Sequence, residues 1–279
     1  MEIFRGTVSS DAFTMDYFRF GSGKDVFVIL PGLSVQSVMG AADAVAEAYR
    51  GLTGDFTVYL FDRRADIPPV YTVADMARDT AEAFRSLGLR EVCLFGASQG
   101  GMIAMTIAME HPELVRRLAL GSTSAHIREP QHRILEKWIS LAERGDREGL
   151  YLSFGEEIYP PEVFRQVRGS LTAAASSVTE EDLRRFVVMA EGMKGFDVVS
   201  RLRDIRCPVL VIGVYEDAVL DSDATMEIAE KLDERPDFRL YMYIGYGHAA
   251  YDTAPDYRER LHRFFLGRPE ITKAACENP

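Results

Sequence analysis

One short segment constrains the fold more than any other. Val92-Cys93-Leu94-Phe95 is an apolar run that reads as a buried strand, and Met102 to Met109 reads as a helix. Between them lies Gly96-Ala97-Ser98-Gln99-Gly100-Gly101, a turn built mostly from small residues. Gly96, Gly100 and Gly101 would let strand and helix approach without a Cβ clash. A serine at the apex of such a turn occupies a strained backbone position and projects its hydroxyl from the top of a sheet. The helix that follows would aim its N-terminal N–H groups at the space beside Ser98, where negative charge can be stabilised. The bland alternative is a glycine-rich turn with an incidental serine, so the rest of the chain has to decide.

The surrounding pattern is an alternation of strands and helices. Ile3–Val8 and Phe13–Phe20 predict an antiparallel edge pair, and Asp25–Leu30 a central parallel strand. A loop, Pro31-Gly32-Leu33-Ser34, leads to an alanine-rich helix over Ser37–Arg50. Thr57–Phe61 predicts a strand, 62–71 a loop, and Thr72–Leu87 a helix with Thr72 as N-cap and Gly88 as stop. After the Ser98 turn and its helix comes a strand over Leu114–Leu120. This βαβα order implies a parallel sheet with helices on both faces. From Ala125 to about Leu202 no strand is predicted; Arg133–Ala142, Pro161–Val167 and Thr179–Met193 read as amphipathic helices. The α/β pattern resumes with strands over Cys207–Gly213 and Phe238–Ile244 and helices over Asp223–Leu232 and Ala254–Leu266. Residues 1–124 and 203–268 thus form one body, 125–202 a helical insertion, and 269–279 a frayed polar tail.

Composition excludes several function classes. The 279 residues suit one large α/β domain with an insertion. A net charge of −11 argues against nucleic acid and against anionic membrane surfaces. The start, Met1 to Gly6, lacks the features of a signal peptide, and three dispersed cysteines fit a reducing, cytoplasmic setting. Cys93 and Cys207 read as small buried apolar residues, and Cys276 as part of the polar tail. The expected partner is a small-molecule substrate, with self-association into a homo-oligomer left open.

A serine hydroxyl needs a base, and histidine supplies one near neutrality. His111 sits at a helix end, His262 within the last helix, and His126 and His132 at the start of the insertion. His248 lies in Gly245-Tyr246-Gly247-His248-Ala249, just past a predicted strand, where loops at the carboxyl ends of parallel strands converge. It is the preferred base. An acid must orient its imidazole. After the strand ending at Gly213 come Glu216, Asp217, Asp221 and Asp223. Asp217 is nearest the strand end and is preferred; Asp221 and Asp223 suit the start of the next helix, and Glu216 a solvated position. The chain order is Ser98, Asp217, His248.

On these residues the chain resembles the α/β-hydrolase superfamily, from Val26 to Leu266 and most specifically at Gly96–Gly101 and Gly247-His248. Pro112-Glu113-Leu114-Val115 before a strand also matches its pattern. The resemblance implies an α/β-hydrolase fold, with a mostly parallel eight-stranded sheet, helices on both faces and an inserted helical cap over 125–202. It implies an oxyanion hole formed by the backbone N–H groups of Gln99 and Leu33, with Ser34 as the alternative to Leu33. Many relatives carry His-Gly where this chain has Pro31-Gly32. Asp62-Arg63-Arg64 resembles the family's Asp-x-Arg-Gly region without its glycine; Asp62 and Arg64 read as scaffolding, with a substrate carboxylate contact by Arg63 or Arg64 as the other reading.

The expected activity is hydrolysis of a small or medium carboxylic ester through an acyl-enzyme, with no metal or organic cofactor. Trp138, Tyr151, Phe154, Phe164, Phe186, Met189 and Met193 of the insertion are core, or roof an apolar pocket above Ser98. The same constellation would serve carbon–carbon bond hydrolysis, perhydrolysis, transacylation, or an aminopeptidase that holds an ammonium with Glu156 and Glu157. A non-catalytic ligand receptor on this scaffold is the reading from another class.

Overall fold

The computed structural model describes residues 1–10 and 12–270. Asp11 and residues 271–279, with Cys276 and most of the expected tail, lie outside the described residues. Eight strands form one sheet: β1 (Ile3–Ser9), β2 (Thr14–Phe20), β3 (Asp25–Leu30), β4 (Phe56–Arg64), β5 (Val92–Ala97), β6 (Val115–Gly121), β7 (Val209–Val214) and β8 (Phe238–Tyr243). Their spatial order is β1-β2-β4-β3-β5-β6-β7-β8. β1 and β2 pair antiparallel with each other, β2 pairs antiparallel with β4, and the remaining pairs are parallel. The α/β-hydrolase fold expected from the sequence is the fold observed.

The continuous apolar runs have two destinations, because successive side chains on a strand point to opposite faces. Val92 and Leu94 of β5 join one core cluster, and Cys93, Phe95 and Ala97 join the other. Val28 and Leu30 of β3 divide from Phe27 and Ile29 in the same way. The first cluster is covered by α2 (Val73–Ser86), α3 (Gln99–Glu110) and α8 (Ser222–Leu232), the second by α1 (Ala42–Ala48) and α10 (Tyr257–Phe265).

Four helices stand between β6 and β7: α4 (Glu129–Glu143), α5 (Arg147–Ile158), α6 (Pro161–Ala175) and α7 (Glu180–Glu191). α2 and α7 begin with the same capping box, Thr72 with Asp75 and Thr179 with Asp182, which satisfies orphan N–H groups at each start. α5 is absent from the sequence-based reading. It carries Gly149 and Gly155 in its interior and buries Leu150, Ser153 and Gly155, which make no apolar stripe. Gly155 is required by packing, since a Cβ there would lie 2.3 Å from Leu171 Cδ1 of α6.

Other boundaries moved for local reasons. The expected helix over Ser37–Arg50 is a 3-10 turn at Val38–Ala41, then α1, then a second 3-10 turn at Arg50–Leu52, with Gly40 and Gly51 inside the two turns. The closing helix begins at Tyr257. A short α9 (Ala250–Thr253) precedes it and stops before Ala254-Pro255, because the residue preceding proline disfavours helical backbone. β4 continues through Asp62 to Arg64 because antiparallel β2 still pairs there, Met15 opposite Arg64. No helix among the described residues is long and apolar enough to cross a membrane.

Candidate active site

Ser98 stands between β5 and α3 with φ 52° and ψ −121°, a conformation that costs a non-glycine residue about 1–3 kcal/mol. The surroundings hold it there. Its N–H donates to Gly121 O (2.9 Å). Its carbonyl accepts from the N–H groups of Gly101 (2.8 Å) and Met102 (3.3 Å) and from Thr123 Oγ1 (2.7 Å). The glycines are steric necessities. A Cβ on Gly96 would lie 2.3 Å from Gly100 O, and one on Gly100 would lie 2.0 Å from Leu30 O. The loop after β3 comes as close, since a Cβ on Gly32 would lie 3.2 Å from Ser98 Cβ.

His248 and Asp217 meet although 31 residues separate them in sequence. His248 Nδ1 lies 2.9 Å from Asp217 Oδ2 and 3.0 Å from Oδ1, and both side chains are almost fully buried. The Val219 and Leu220 N–H groups also donate to Asp217 Oδ1, each at 3.0 Å, so the loop after β7 wraps its own carboxylate. With Nδ1 facing a carboxylate, Nε2 is the ring nitrogen left for chemistry. His248 lies between two glycines and α5: Gly245 and Gly247 have positive φ (81° and 64°), and the Ala249 N–H donates to Ile158 O at 3.0 Å. Glu216 is more than a solvated neighbour, because its Oε2 accepts from the Gly245 N–H (2.7 Å) and so ties the β7 loop to the His248 loop.

Ser98 and His248 line one cavity of about 30 Å³ together with Gly32, Leu33, Val219 and Tyr251 from the sheet side and Gln131, Leu135, Trp138, Phe154, Ile158 and Met193 from the insertion. That volume holds about two waters. Among the described residues no hydrogen bond joins Ser98 Oγ to the imidazole. Leu33, Phe154 and Ile158 also line a wider cavity of about 480 Å³. Of the insertion aromatics, Trp138 and Phe154 reach the Ser98 cavity, Phe186 is core, and Tyr151 donates through its hydroxyl to Gln36 Oε1 at 2.8 Å.

The Leu33 N–H belongs to a residue that lines this space, and the Gln99 N–H to the residue directly after Ser98. Gln99 is the first residue of α3, whose N–H has no partner within the helix. Among the described residues neither group donates to an acceptor. The Gln99 side chain is buried and points elsewhere, Nε2 donating to Met189 O (3.1 Å) and Oε1 accepting from Arg63 (3.2 Å). Arg63 also donates to Pro31 O (2.7 Å), holding the loop that carries Leu33. Burial pushes the Arg63 pKa down to about 10. Arg64 donates to the Ala12 and Asp66 carbonyls, both at 2.6 Å, and pairs with Asp79. Neither arginine lines the Ser98 cavity, so the structure places both in scaffolding rather than at a substrate carboxylate. Asp62 has the same character: it accepts from Ser37 Oγ (2.5 Å) and from Arg185 of α7 (2.9 Å), a buried link between sheet and insertion.

The remaining candidates are occupied elsewhere. Asp221 caps α8 by accepting from the Ala224 N–H (3.1 Å), and Asp223 lies in that helix's first turn. His111 caps α3 and contacts Arg85, His126 pairs with Glu227 at 2.8 Å, and His262 pairs with Asp55 at 2.8 Å. Glu157 pairs with Lys137 at 3.0 Å, and neither Glu156 nor Glu157 lines the Ser98 cavity. The reading from sequence had no means of finding Gln131, Leu135 or Tyr251, which carry no motif and reach the site only through packing.

Similarities to known proteins agree with the fold. The sequence profile described as "Alpha/beta hydrolase family" matches residues 26–259. A Rhizobium rhizogenes protein named "Putative carbamate hydrolase RutD" is 25% identical over 249 residues, covering 83% of this chain and 91% of its own. Its Caulobacter vibrioides namesake is 24% identical over 258 residues, covering 88% and 92%. Among solved structures, an alpha/beta hydrolase enzyme from a Medee basin deep-sea metagenome library superposes with a TM-score of 0.83 at 20% identity, covering 96% of this chain and 100% of that one. The enol-lactonase from Burkholderia xenovorans LB400 superposes with a TM-score of 0.79 at 18% identity, covering 94% and 100%. The chain belongs to the alpha/beta hydrolase family and is an enzyme of the hydrolase class.

Proposed function

We infer that this enzyme hydrolyses a small, uncharged carboxylic ester by two-step acyl transfer, with residues 125–202 acting as a cap over the site. Ser98 Oγ attacks the carbonyl carbon while His248 Nε2 takes its proton. Asp217 holds the ring with Nδ1–H towards its carboxylate and stabilises the imidazolium. The oxyanion accepts from the Leu33 and Gln99 N–H groups, each worth about 3 kcal/mol of transition-state stabilisation. The imidazolium then protonates the departing alcohol, and the neutral ring takes a proton from the water that attacks the acyl-enzyme. The observation that carries this reading is that the strained serine and the histidine of a buried His248–Asp217 pair line one cavity. The largely apolar lining supports an uncharged substrate, and the lack of a lining carboxylate among the described residues weighs against holding an ammonium.

Carbamates are the second reading. The observation that favours them is the name shared by the Rhizobium and Caulobacter relatives. The same serine, imidazole and N–H groups would act on a carbamate carbonyl, so the pocket rather than the triad discriminates.

A fluorophosphonate probe tests the common mechanism. Peptide mass mapping is expected to find the adduct on Ser98 and to lose it in Ser98→Ala. A folded chain that forms no adduct at Ser98 would refute the nucleophile and favour the receptor reading. Relative kcat/KM on methyl butyrate and methyl carbamate then ranks the two substrate classes.

A further inference from the structure

We propose that Arg63 is the positioning residue of the oxyanion hole, with one buried guanidinium nitrogen fixing the two segments that supply its N–H donors. This rests on the acyl-hydrolase reading and adds to it a residue that touches no substrate. The two donors belong to different parts of the chain: Leu33 follows β3, and Gln99 opens α3. The Leu33 loop lies against the nucleophile, since a Cβ on Gly32 would be 3.2 Å from Ser98 Cβ. Donors stabilise an oxyanion only when both reach the same oxygen at about 2.7–3.1 Å, so the spacing between the two segments has to be held. Arg63 Nη2 donates to both of them, to Pro31 O at 2.7 Å and to Gln99 Oε1 at 3.2 Å. Pro31 stands two residues before Leu33 in the same loop.

The bridge is itself held at both ends. The Arg63 N–H donates to Asp62 Oδ1 at 2.7 Å, and the Arg63 carbonyl accepts from Arg185 Nη2 of α7 at 3.3 Å. At the other end Gln99 Nε2 donates to Met189 O, also of α7, at 3.1 Å. Arg63 and Gln99 are 4% and 0% exposed, so water does not compete for these contacts. A buried guanidinium ordinarily takes a carboxylate partner. Asp62, the adjacent acid, gives its ion pair to Arg185 at 2.9 Å, and among the described residues Arg63 forms none. The Nη2 hydrogen bonds of Arg63 go instead to two neutral oxygens, one on each segment of the site. With its pKa lowered by burial to about 10, Arg63 is still cationic at neutral pH, and charged donors make the stronger hydrogen bonds.

The test compares full-length parent and Arg63→Met on 4-nitrophenyl butyrate and its thionoester, in which sulfur replaces the carbonyl oxygen. Sulfur accepts hydrogen bonds weakly, so the ratio of kcat/KM for the oxygen ester over the thionoester reports on the oxyanion donors, and the intrinsic reactivities of the two esters cancel between enzymes. Methionine keeps an unbranched apolar stem and removes the donors. The ratio is expected to fall about tenfold in Arg63→Met, with the loss on the oxygen ester carried by kcat rather than KM. A role confined to holding the fold would slow both esters alike. An unchanged ratio in folded Arg63→Met therefore overturns the proposal. If Arg63→Met does not fold, Gln99→Met decides by the same criterion, because it removes the Oε1 acceptor and keeps the backbone N–H. Failure of the underlying reading looks different: a parent that turns over neither ester, or does so no faster than Ser98→Ala, overturns the ester hydrolase and this role with it.

Discussion

Asp217→Asn separates the charge of the buried acid from its shape. In the parent, Asp217 Oδ1 accepts from the Val219 and Leu220 N–H groups at 3.0 Å, and the carboxylate faces His248 Nδ1 at 2.9 Å. An asparagine oxygen can keep both loop contacts. Its NH2 then faces the imidazole and donates, so Nδ1 must accept and the ring proton moves to Nε2. That tautomer cannot take the proton of Ser98, and the imidazolium loses its neighbouring charge. The pair is almost fully buried, so solvent screens little of this. Loss of the correct tautomer and the charge together corresponds to about 10³–10⁴ in rate, or about 4–5.5 kcal/mol. Fold stability changes far less: losing a hydrogen bond to a charged group costs about 1.5–3 kcal/mol, or roughly 3–12 °C in Tm for a chain of this size. The assay is the phosphonylation rate of Ser98 by intact mass, which needs no knowledge of the substrate, with a thermal scan on the same samples. Asp221→Asn is the control. Asp221 caps α8 through Oδ1, and asparagine caps equally well, so both readouts are expected to match the parent. A folded Asp217→Asn that is phosphonylated within tenfold of the parent rate would refute the assignment.

Two further outcomes follow from the same geometry. Gly100→Ala sets a Cβ against the Leu30 carbonyl at 2.0 Å, backbone that cannot swing aside, and is expected to cost about 3 kcal/mol, read as a fall of roughly 6–12 °C in Tm; an unchanged Tm would show that the turn is not tightly packed. Burial pushes the Cys207 thiol up to about 12 from its ordinary 9.0. At pH 8 the thiolate is then about a thousandfold scarcer than in the unfolded chain and rises tenfold per pH unit, so iodoacetamide should alkylate Cys207 far more slowly in native protein than in guanidinium, and equal rates would contradict the burial.

Much of the architecture was readable because it rests on local physics. β3 and β5 are apolar on both faces because helices cover both sides of a parallel sheet, and such runs need no partner information to be recognised. Thr72 with Asp75, and Thr179 with Asp182, mark helix starts with side chains three residues apart. α5 escaped because its glycines are chosen for the approach of α6, a contact with no trace in its own periodicity. A substrate carboxylate contact by Arg63 is the lesser reading from sequence, and only the position of Pro31 O and Gln99 Oε1 shows where its guanidinium goes.

By itself, the sequence determined the turn chemistry at Ser98, the strand-end placement of Asp217 and His248, and the alternation that makes a parallel sheet, because each depends on residues a few positions apart. Tertiary structure alone decided that Asp217 and His248 meet at 2.9 Å and that α4 and α5 help line a space of about 30 Å³ beside Ser98. These are contacts between segments far apart in the chain, and which side chains fill a shared space is settled only when the segments are packed together.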